Sequence, residues 1–338
     1  MRLTRAAVRV PALRIALAVL SVAVLASGCD PGSGGSGAAG GGQITVAVDP
    51  GIDNAALEVA VKNGLFQQQG LNVTFKNETS VTGELQALAS QQAQIAVGDY
   101  TDFIYAQATN KAQLRLIADG YDAAPNSVAI LTLPSSNITT PQDLETLDAT
   151  VATPYAQVIP FSKTLAPPYS IETLAAQEVL QNDGVSPSGV NWKQYSPQAM
   201  IGELKSGKVQ AILATEPYIT EAEEQLGAVE VLDASTGVTS GLPLSGYFST
   251  AVYAHQNPSV VQAFQAALYQ AQADCAQRGP VQAVLPGLAG MNTQDAALIT
   301  LGTYPTSLNV GQIQRVATLM YDSGMTSTSV SVSQLASG

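Results

Sequence analysis

The stretch that decides the fold is Gln94–Tyr105, QIAVGDYTDFIY. Its apolar residues Ile95–Val97 form a short run of the kind that makes a buried strand, and the run ends at Gly98. Polar and aromatic residues follow, and a helical pattern begins after them. A strand that enters a helix through a short loop is a frequent ligand-binding corner of open α/β sheets, because helix N-terminal N–H groups and loop side chains converge there.

A second stretch repeats this arrangement further along the chain. In Val209–Thr220, VQAILATEPYIT, an apolar strand again runs into a polar and aromatic segment, Thr215–Tyr218, and then into a helix. Each stretch predicts one ligand-binding corner. Two such corners, far apart in the sequence, predict two lobes that face each other.

The rest of the chain supports an α/β fold with two lobes. About 300 residues follow the N-terminal segment, which is more than one core usually holds. Predicted strands alternate with helices, which indicates a parallel or mixed sheet flanked by helices in each lobe. Tyr247–Ala254 is predicted to be a strand, and the pattern turns helical from Pro258 onward. We therefore predict lobe 1 at residues 43–142 plus 248–338, lobe 2 at 143–247, and a hinge between them.

The N-terminal segment has the pattern of a lipoprotein signal peptide. Arginines precede a short apolar run, Ile15–Leu25, and small residues lead to Cys29. A transmembrane helix needs about 20 apolar residues, so cleavage before Cys29 is favoured over an uncleaved anchor. We predict a signal peptide at residues 1–28, lipidation of Cys29, and a Gly/Ser tether at 29–42. This places the protein outside the cytoplasm, anchored by lipid to the outer face of the cell membrane.

Composition argues against several classes of partner and site. The formal net charge of −12 disfavours binding to nucleic acid or to anionic lipid surfaces. With two cysteines and one histidine, the chain lacks the residues for a disulfide framework, a thiolate cluster or a two-histidine zinc site. His255 follows the predicted strand Tyr247–Ala254 and is interpreted as structural. We therefore predict no catalytic residue, no metal and no cofactor.

Four blocks of sequence, in this order, carry a resemblance to a known family. They are NGLFQQQGLNVTF (63–75), GELQALASQQAQIAVGDYTD (83–102), SSNITTPQDLETL (135–147) and VQAILATEPY (209–218). Together with the lipoprotein signal they resemble the substrate-binding proteins of ABC importers, in the nitrate, sulfonate and taurine family. That family shares its fold with the thiamine-precursor-binding proteins.

The resemblance implies a fold, a function and partners. It implies the type II periplasmic-binding-protein fold, in which two hinged lobes close on a ligand, and delivery of a sulfonate-, taurine- or nitrate-like solute to an ABC permease. The expected partners are this small molecule, the permease subunits and the membrane through the lipid anchor. We expect a monomer.

Residues at predicted strand ends and helix N-termini are the candidate ligand contacts. From the first lobe they are Thr82, Gly83, Gly98, Asp99, Tyr100 and Tyr121, and from the second Tyr169, Ser170, Glu216, Tyr218, Ser245 and Tyr247. Tyrosine suits such a site because its ring buries a large face while its hydroxyl orients a polar group. We expect Tyr100 to face Tyr218 across the cleft. Structural roles remain open, since Gly98 also suits a turn, and Asp99 and Ser170 suit helix caps.

The local chemistry leaves the charge of the ligand open. The arginines beyond the signal segment are Arg115, Arg278 and Arg315, and none falls at a predicted corner. An arginine clamp on an anion is therefore absent there, although helix N-termini and hydroxyls can also hold anions. Carboxylates beside several tyrosines instead favour a cationic or hydrogen-bond-donating ring compound, such as a pyrimidine thiamine precursor. These carboxylates are Asp99, Asp102, Asp122 and Glu216.

Two other functions compete with import. One eukaryotic branch of the thiamine-precursor group is catalytic, with a cysteine-rich iron motif and a histidine used as substrate. This chain has no such cysteine cluster, and His255 does not fall at a predicted corner. We therefore expect a binding protein and not an enzyme. An input domain for a sensor kinase is the third alternative.

Overall fold

The computed structural model describes residues 42–154, 170–288 and 291–337. The predicted signal peptide, Cys29, nearly all of the tether and Tyr169 lie outside the described residues. Within the described residues, no helix is both long and apolar enough to cross a membrane.

Ten strands are present in the described part of the chain. They are β1 (Gly42–Val48), β2 (Leu71–Asn77), β3 (Ile95–Asp99), β4 (Leu114–Asp122), β5 (Val128–Thr132), β6 (Thr150–Pro154), β7 (Asn191–Tyr195), β8 (Ala211–Thr215), β9 (Val229–Asp233) and β10 (Pro243–Thr250).

Fifteen α-helices accompany these strands in the same described ranges. They are α1 (Ala55–Lys62), α2 (Leu65–Gln68), α3 (Val81–Ala89), α4 (Tyr100–Ala108), α5 (Pro141–Thr146), α6 (Ile171–Asn182), α7 (Pro197–Lys205), α8 (Tyr218–Leu226), α9 (Ala251–Gln256), α10 (Pro258–Asp274), α11 (Arg278–Gln282), α12 (Leu285–Leu288), α13 (Asp295–Leu298), α14 (Val310–Asp322) and α15 (Val332–Ser337). Short 3-10 helices cover Ile52–Asn54, Pro187–Gly189 and Gly237–Thr239.

The strands form two mixed five-stranded sheets. The first has the order β2-β1-β3-β10-β4, with β1 parallel to β2 and β3, and β10 antiparallel to β3 and β4. The second has the order β7-β6-β8-β5-β9, with β6 parallel to β7 and β8, and β5 antiparallel to β8 and β9. The predicted α/β fold with two lobes is confirmed.

The lobe boundaries differ from the predicted ones in two places. The strand β5 pairs with β8 and β9, so the chain enters the second sheet after β4 and not after residue 142. The strand β10 pairs with β3 and β4, so Ser245 and Tyr247 belong to the first sheet, not to lobe 2. The apolar composition of β5 and β10 signals burial, but it does not specify which sheet each strand joins.

The end of β10 also differs from prediction. The strand stops at Thr250, whose side chain accepts a hydrogen bond from the backbone N–H of Tyr253 and thereby caps α9. Threonine is a favoured N-cap residue because its hydroxyl satisfies an N–H group that the first helical turn leaves free. His255 consequently lies on α9, exposed to solvent, and not beside a strand.

Aromatic contacts fix the helices on the first sheet. Phe103 of α4 stacks on Phe248 of β10, with ring centroids 4.3 Å apart. Phe264 of α10 stacks on Phe66 of α2 at 5.1 Å. All four rings are at most 1% exposed, so each buries nearly its whole apolar surface, which is the main stabilising contribution of such residues. The C-terminal helices therefore cover the first lobe, as the sequence pattern predicts.

Candidate functional site

One cavity of about 540 Å³ opens where strands of both sheets end. The first sheet contributes the residues that follow β1, the last residue of β3 and the start of β10. The second sheet contributes the end of β8 and the segment after it. The lining consists of Asp49, Pro50, Gly51, Ile52, Asp53, Asp99, Tyr121, Ser127, Glu172, Pro197, Gln198, Thr215, Glu216, Pro217, Tyr218, Leu244, Ser245 and Leu288. We call this the interlobe cavity.

The loop after β1 brings two carboxylates to the cavity. Asp49 and Asp53 are held by Asn54, which is 1% exposed. The Asn54 amide donates hydrogen bonds to the Asp49 carbonyl at 2.7 Å and to Asp53 Oδ1 at 3.2 Å. Burial raises the pKa of Asp53 to about 6, and the neighbouring Asp49 carboxylate adds to the rise. Asp49 is itself exposed, and partial desolvation raises its pKa.

Asp99 ends β3 and occupies the N-cap position of α4 without capping it through its side chain. Burial raises the pKa of Asp99 well above its usual range, and the largest further contribution comes from the charge of Glu172. Glu172 lies in the first turn of α6, in the second lobe, and burial raises its pKa as well. Each carboxylate of this pair belongs to a different lobe, so the cavity brings like charges together.

A further acid lies directly behind Gly98. A Cβ atom at Gly98 would be 2.9 Å from Oε2 of Glu84, so a larger residue there would require this side chain to shift. Glu84 is 0% exposed, and neither of its carboxyl oxygens has a hydrogen-bond partner among the described residues. Burial raises its pKa well above its usual range, and nearby acids, Asp49 first, add to the rise.

In the second lobe, the chain itself fixes the carboxylate of Glu216. Its Oε2 accepts a hydrogen bond from the backbone N–H of Thr220 at 3.1 Å. Its Oε1 accepts from the Thr220 hydroxyl at 3.0 Å and from the backbone N–H of Thr300 at 2.9 Å. The carboxylate thus satisfies an N–H group at the start of α8 and connects this helix to the C-terminal segment. Burial raises its pKa despite these bonds.

The cavity also presents tyrosine and serine side chains. The Tyr121 hydroxyl accepts a hydrogen bond from the backbone N–H of Gly302, and its ring lies 5.0 Å from that of Tyr304. Tyr218 begins α8 and is partly buried. Ser245 is 1% exposed, and its side chain hydrogen-bonds Asp53, which partly counteracts the rise in the pKa of that carboxyl group.

Comparison with known families identifies the chain. The model of the NMT1-like family matches residues 37–285. The chain belongs to the NMT1-like family. A search of curated proteins found no match.

Solved structures share the fold of this NMT1-like protein at low sequence identity. The periplasmic aliphatic sulphonate binding protein SsuA from Escherichia coli is 18% identical, with 87% of this chain and 97% of that chain covered and a TM-score of 0.68. The periplasmic nitrate-binding protein NrtA from Synechocystis PCC 6803 is 14% identical, with 87% and 84% covered and a TM-score of 0.66. The desulfurization enzyme DSZB is 15% identical, with 88% and 96% covered and a TM-score of 0.66. The resemblance stated from the sequence motifs is confirmed.

Five of the candidate contacts line the interlobe cavity of this NMT1-like protein. They are Asp99, Tyr121, Glu216, Tyr218 and Ser245. Thr82, Gly83, Gly98, Tyr100, Ser170 and Tyr247 are not among its lining residues. Gly83 donates its N–H to the Ser80 cap of α3, and Ser170 caps α6 by accepting from the N–H of Thr173. Tyr247 is 0% exposed.

The prediction that Tyr100 faces Tyr218 across the cleft is wrong. Tyr100 is 0% exposed, and its hydroxyl donates a hydrogen bond to Asp119 Oδ1 at 2.7 Å. Its ring lies so close to Gly246 that a Cβ there would be 2.6 Å from the hydroxyl oxygen. Neighbouring residues at a strand end point in opposite directions, so Asp99 reaches the cavity and Tyr100 enters the core.

Sequence reasoning missed three of the acids in the cavity. Asp49 and Asp53 lie in the loop after β1, and Glu172 follows two residues after the candidate Ser170. The strand-end rule that selected Asp99 would also have selected Asp49, because β1 is parallel to β3 and ends at the same edge. The Asp-Pro-Gly sequence of this loop has instead the pattern of an ordinary turn.

Proposed function

We propose that this protein is an extracytoplasmic solute-binding protein of an ABC importer. The proposal includes lipidation at Cys29 and capture of one small organic solute between the two lobes for delivery to a permease. The observation that carries it is a cavity of about 540 Å³ lined by strand ends of two separate sheets. Cavities of about 300–1,000 Å³ at such strand ends are typical small-molecule sites. Support also comes from the fold shared with proteins named as sulfonate- and nitrate-binding.

In this proposal each lobe corresponds to one sheet and the helices around it. The first lobe comprises the chain up to the end of β4 and from β10 onward, and the second comprises β5 to β9. The two chain crossings, between β4 and β5 and between β9 and β10, serve as the hinge. Ligand binding stabilises the form in which the lobes close on the solute.

Two classes of solute follow from the sequence and the relatives. Sulfonate-, taurine- or nitrate-like anions follow from the family resemblance and from the sulfonate- and nitrate-binding proteins that share the fold. Cationic or heteroaromatic compounds follow from the acids and tyrosines of the site. Both classes are therefore included in the first experiment. That experiment is native mass spectrometry of freshly purified full-length protein, followed by thermal unfolding with each class of compound.

The expected result is a bound small molecule whose addition raises the melting temperature. A ligand at 100 times its dissociation constant stabilises the folded form by about 2.7 kcal/mol. Tyr218→Ala is expected to reduce this shift while leaving the unliganded protein nearly as stable, because Tyr218 is only partly buried. Glu224→Gln, on the exposed face of the same helix, is the matched control. A shift that survives Tyr218→Ala unchanged would contradict the proposed site.

An enzyme is the second candidate, because a protein named as a desulfurization enzyme shares the fold. Incubating the purified protein with its bound compound and following the mass of that compound distinguishes the two. We expect the compound to be released unchanged. Conversion at catalytic amounts of protein would replace the import proposal.

A further inference from the structure

We infer that the solute is a small organic cation with N–H donors, such as an amine or a guanidinium compound, held between carboxylates of both lobes. The inference rests on the proposed function and names the class of its solute. It is argued from the charges that line the interlobe cavity, from a polar atom left without a partner there, and from the helix N-termini around it.

Five carboxylates from separate parts of the chain line the cavity. Three belong to the first lobe and two to the second, namely Asp49, Asp53, Asp99, Glu172 and Glu216. Among the described lining residues there is no lysine, arginine or histidine. Carboxylates that are withdrawn from water and close to one another destabilise each other's charged form, and a cation placed between them removes that cost. Electrostatics therefore favours a positively charged solute over a neutral or a negatively charged one.

A buried hydroxyl and an unpartnered oxygen show that the site is more than a group of acids. Ser245, at 1% exposure, lines the cavity, and its side chain hydrogen-bonds the carboxyl group of Asp53. Oε2 of Glu172 has no hydrogen-bond partner among the described residues. Buried polar atoms are nearly always hydrogen-bonded. An atom without a partner at a cavity therefore indicates which hydrogen-bonding group a ligand supplies. A carboxylate oxygen accepts hydrogen bonds and does not donate them, so a solute that pairs with it needs donors such as N–H groups.

At two helix N-termini of the second lobe, a side chain of the protein accepts a backbone N–H group that could otherwise bind an anion. At α8, the carboxylate of Glu216 accepts the N–H of Thr220. At α6, the hydroxyl of Ser170 accepts the N–H of Thr173. At α4, the N-cap residue is itself an acid, Asp99. A nitrate or sulfonate group placed at α4 or α8 would meet the negative charge of Asp99 or Glu216. At α6 and α8 it would also find one N–H group already hydrogen-bonded.

The remaining lining suits an organic cation. Tyr121 and Tyr218 border the cavity, and tyrosine rings attract cations within about 6 Å of their centres. The cavity volume of about 540 Å³ is in the range of organic ligands. In the described ranges of the chain, no three or more His, Cys, Asp or Glu side chains are grouped to hold a metal ion. Divalent metal is nevertheless included as a separate arm of the test.

The test measures binding by calorimetry at low ionic strength with agmatine, putrescine, choline, taurine, methanesulfonate, nitrate and Mg²⁺. Native mass spectrometry of the freshly purified full chain identifies any molecule that co-purifies. We expect a co-purified molecule with a formal positive charge, binding of agmatine or putrescine, and no binding of methanesulfonate or nitrate. Choline, which has no N–H group, is expected to bind more weakly than the amines.

Variants separate this inference from a non-specific charge effect. Asp99→Asn and Glu172→Gln each remove one carboxylate from the cavity while keeping the size of the side chain. Each is expected to weaken amine binding about tenfold or more, which corresponds to about 1.4 kcal/mol, because one charge-assisted hydrogen bond is lost. Glu224→Gln removes one exposed charge from α8 and is expected to leave the affinity unchanged.

The possible outcomes distinguish failure of the inference from failure of the proposed function. Binding of methanesulfonate or nitrate that Asp99→Asn preserves or strengthens would overturn the inference and leave the importer proposal intact. Binding of Mg²⁺ alone, or of choline as tightly as the amines, would also overturn it. If none of the cationic probes binds, the inference fails. If in addition no compound co-purifies and no anionic or heteroaromatic compound raises the melting temperature, the proposed function fails as well.

Discussion

Replacing Asp53 with asparagine is expected to stabilise the unliganded protein at pH 8 and to have almost no effect at pH 4. Burial raises the pKa of Asp53 to about 6 in the folded protein, whereas the ordinary value is 3.8. The folded state therefore binds more protons than the unfolded state between about pH 4 and pH 6. By linkage, the free energy of unfolding decreases as the pH rises through that window.

The magnitude follows from the difference of about two pKa units. Each unit corresponds to about 1.4 kcal/mol, so ionised Asp53 destabilises the fold by up to ~3 kcal/mol above pH 6. Asparagine is uncharged and keeps an Oδ1 that can accept the hydrogen bond from Asn54. At about 2 °C per kcal/mol for a protein of this size, the gain corresponds to a melting temperature higher by about 5 °C.

The assay is thermal unfolding of the ligand-free parent and of Asp53→Asn between pH 4 and pH 8. Glu224→Gln serves as the control, because it removes the same charge from an exposed helical position. We expect the curves of parent and Asp53→Asn to separate as the pH rises, and the control to follow the parent. A pH-independent difference, or a variant less stable than the parent at pH 8, would refute the reasoning about Asp53.

Three further substitutions test the packing around the site by urea unfolding. Tyr100→Phe removes the hydroxyl that bonds Asp119 at 2.7 Å and is expected to cost about 1–3 kcal/mol; no loss would mean that this bond contributes nothing. Gly302→Ala places a Cβ against the Asp122 carbonyl and is expected to cost at least ~1 kcal/mol, whereas unchanged stability would show that the backbone yields freely there. Ser80→Ala removes the side-chain cap of α3 and is expected to cost about 1 kcal/mol, with Ser80→Thr as the variant that keeps the cap.

The sequence predicted most of the strands because they are buried. Runs such as Ile95–Val97 and Val128–Leu131 are apolar at every position and are at most 1% exposed in the structure. Such runs indicate burial on both faces of a sheet, which is the signature of an α/β protein. They carry no information about the pairing partner, which is why the lobe to which β5 belongs could not be predicted. Its partners β8 and β9 lie far along the chain.

The candidate site was predictable to the level of strand ends but not of single side chains. Asp99 and Glu216 were found because each follows an apolar strand. Tyr100 was placed wrongly, because adjacent side chains at the end of β3 diverge and a pattern accurate to a few positions cannot separate them. The hydrogen bond between Tyr100 and Asp119 depends on two strands meeting in space, so no local pattern predicts it.

Two carboxyl groups with similar pKa values show how a structural acid differs from a candidate binding acid. Burial raises the pKa of both Asp119 and Asp53 to about 6. Oδ1 of Asp119 accepts hydrogen bonds from the Tyr100 hydroxyl at 2.7 Å and from the Gly120 N–H at 3.2 Å, and its residue is 0% exposed. It therefore has partners inside the core and no access to a solute.

Asp53 is in the opposite situation. It lines the interlobe cavity beside Asp49, so the nearest carboxylate raises its pKa further. At neutral pH the ionised carboxylate of Asp53 lowers the free energy of unfolding, and the ligand-free form does not recover that loss. Destabilising groups of this kind persist in proteins where function requires them. A bound cation would favour the ionised form that burial disfavours, so this free energy would contribute to the affinity for the cation. The same repulsion that lowers the stability of the empty protein would then strengthen its hold on a cationic solute.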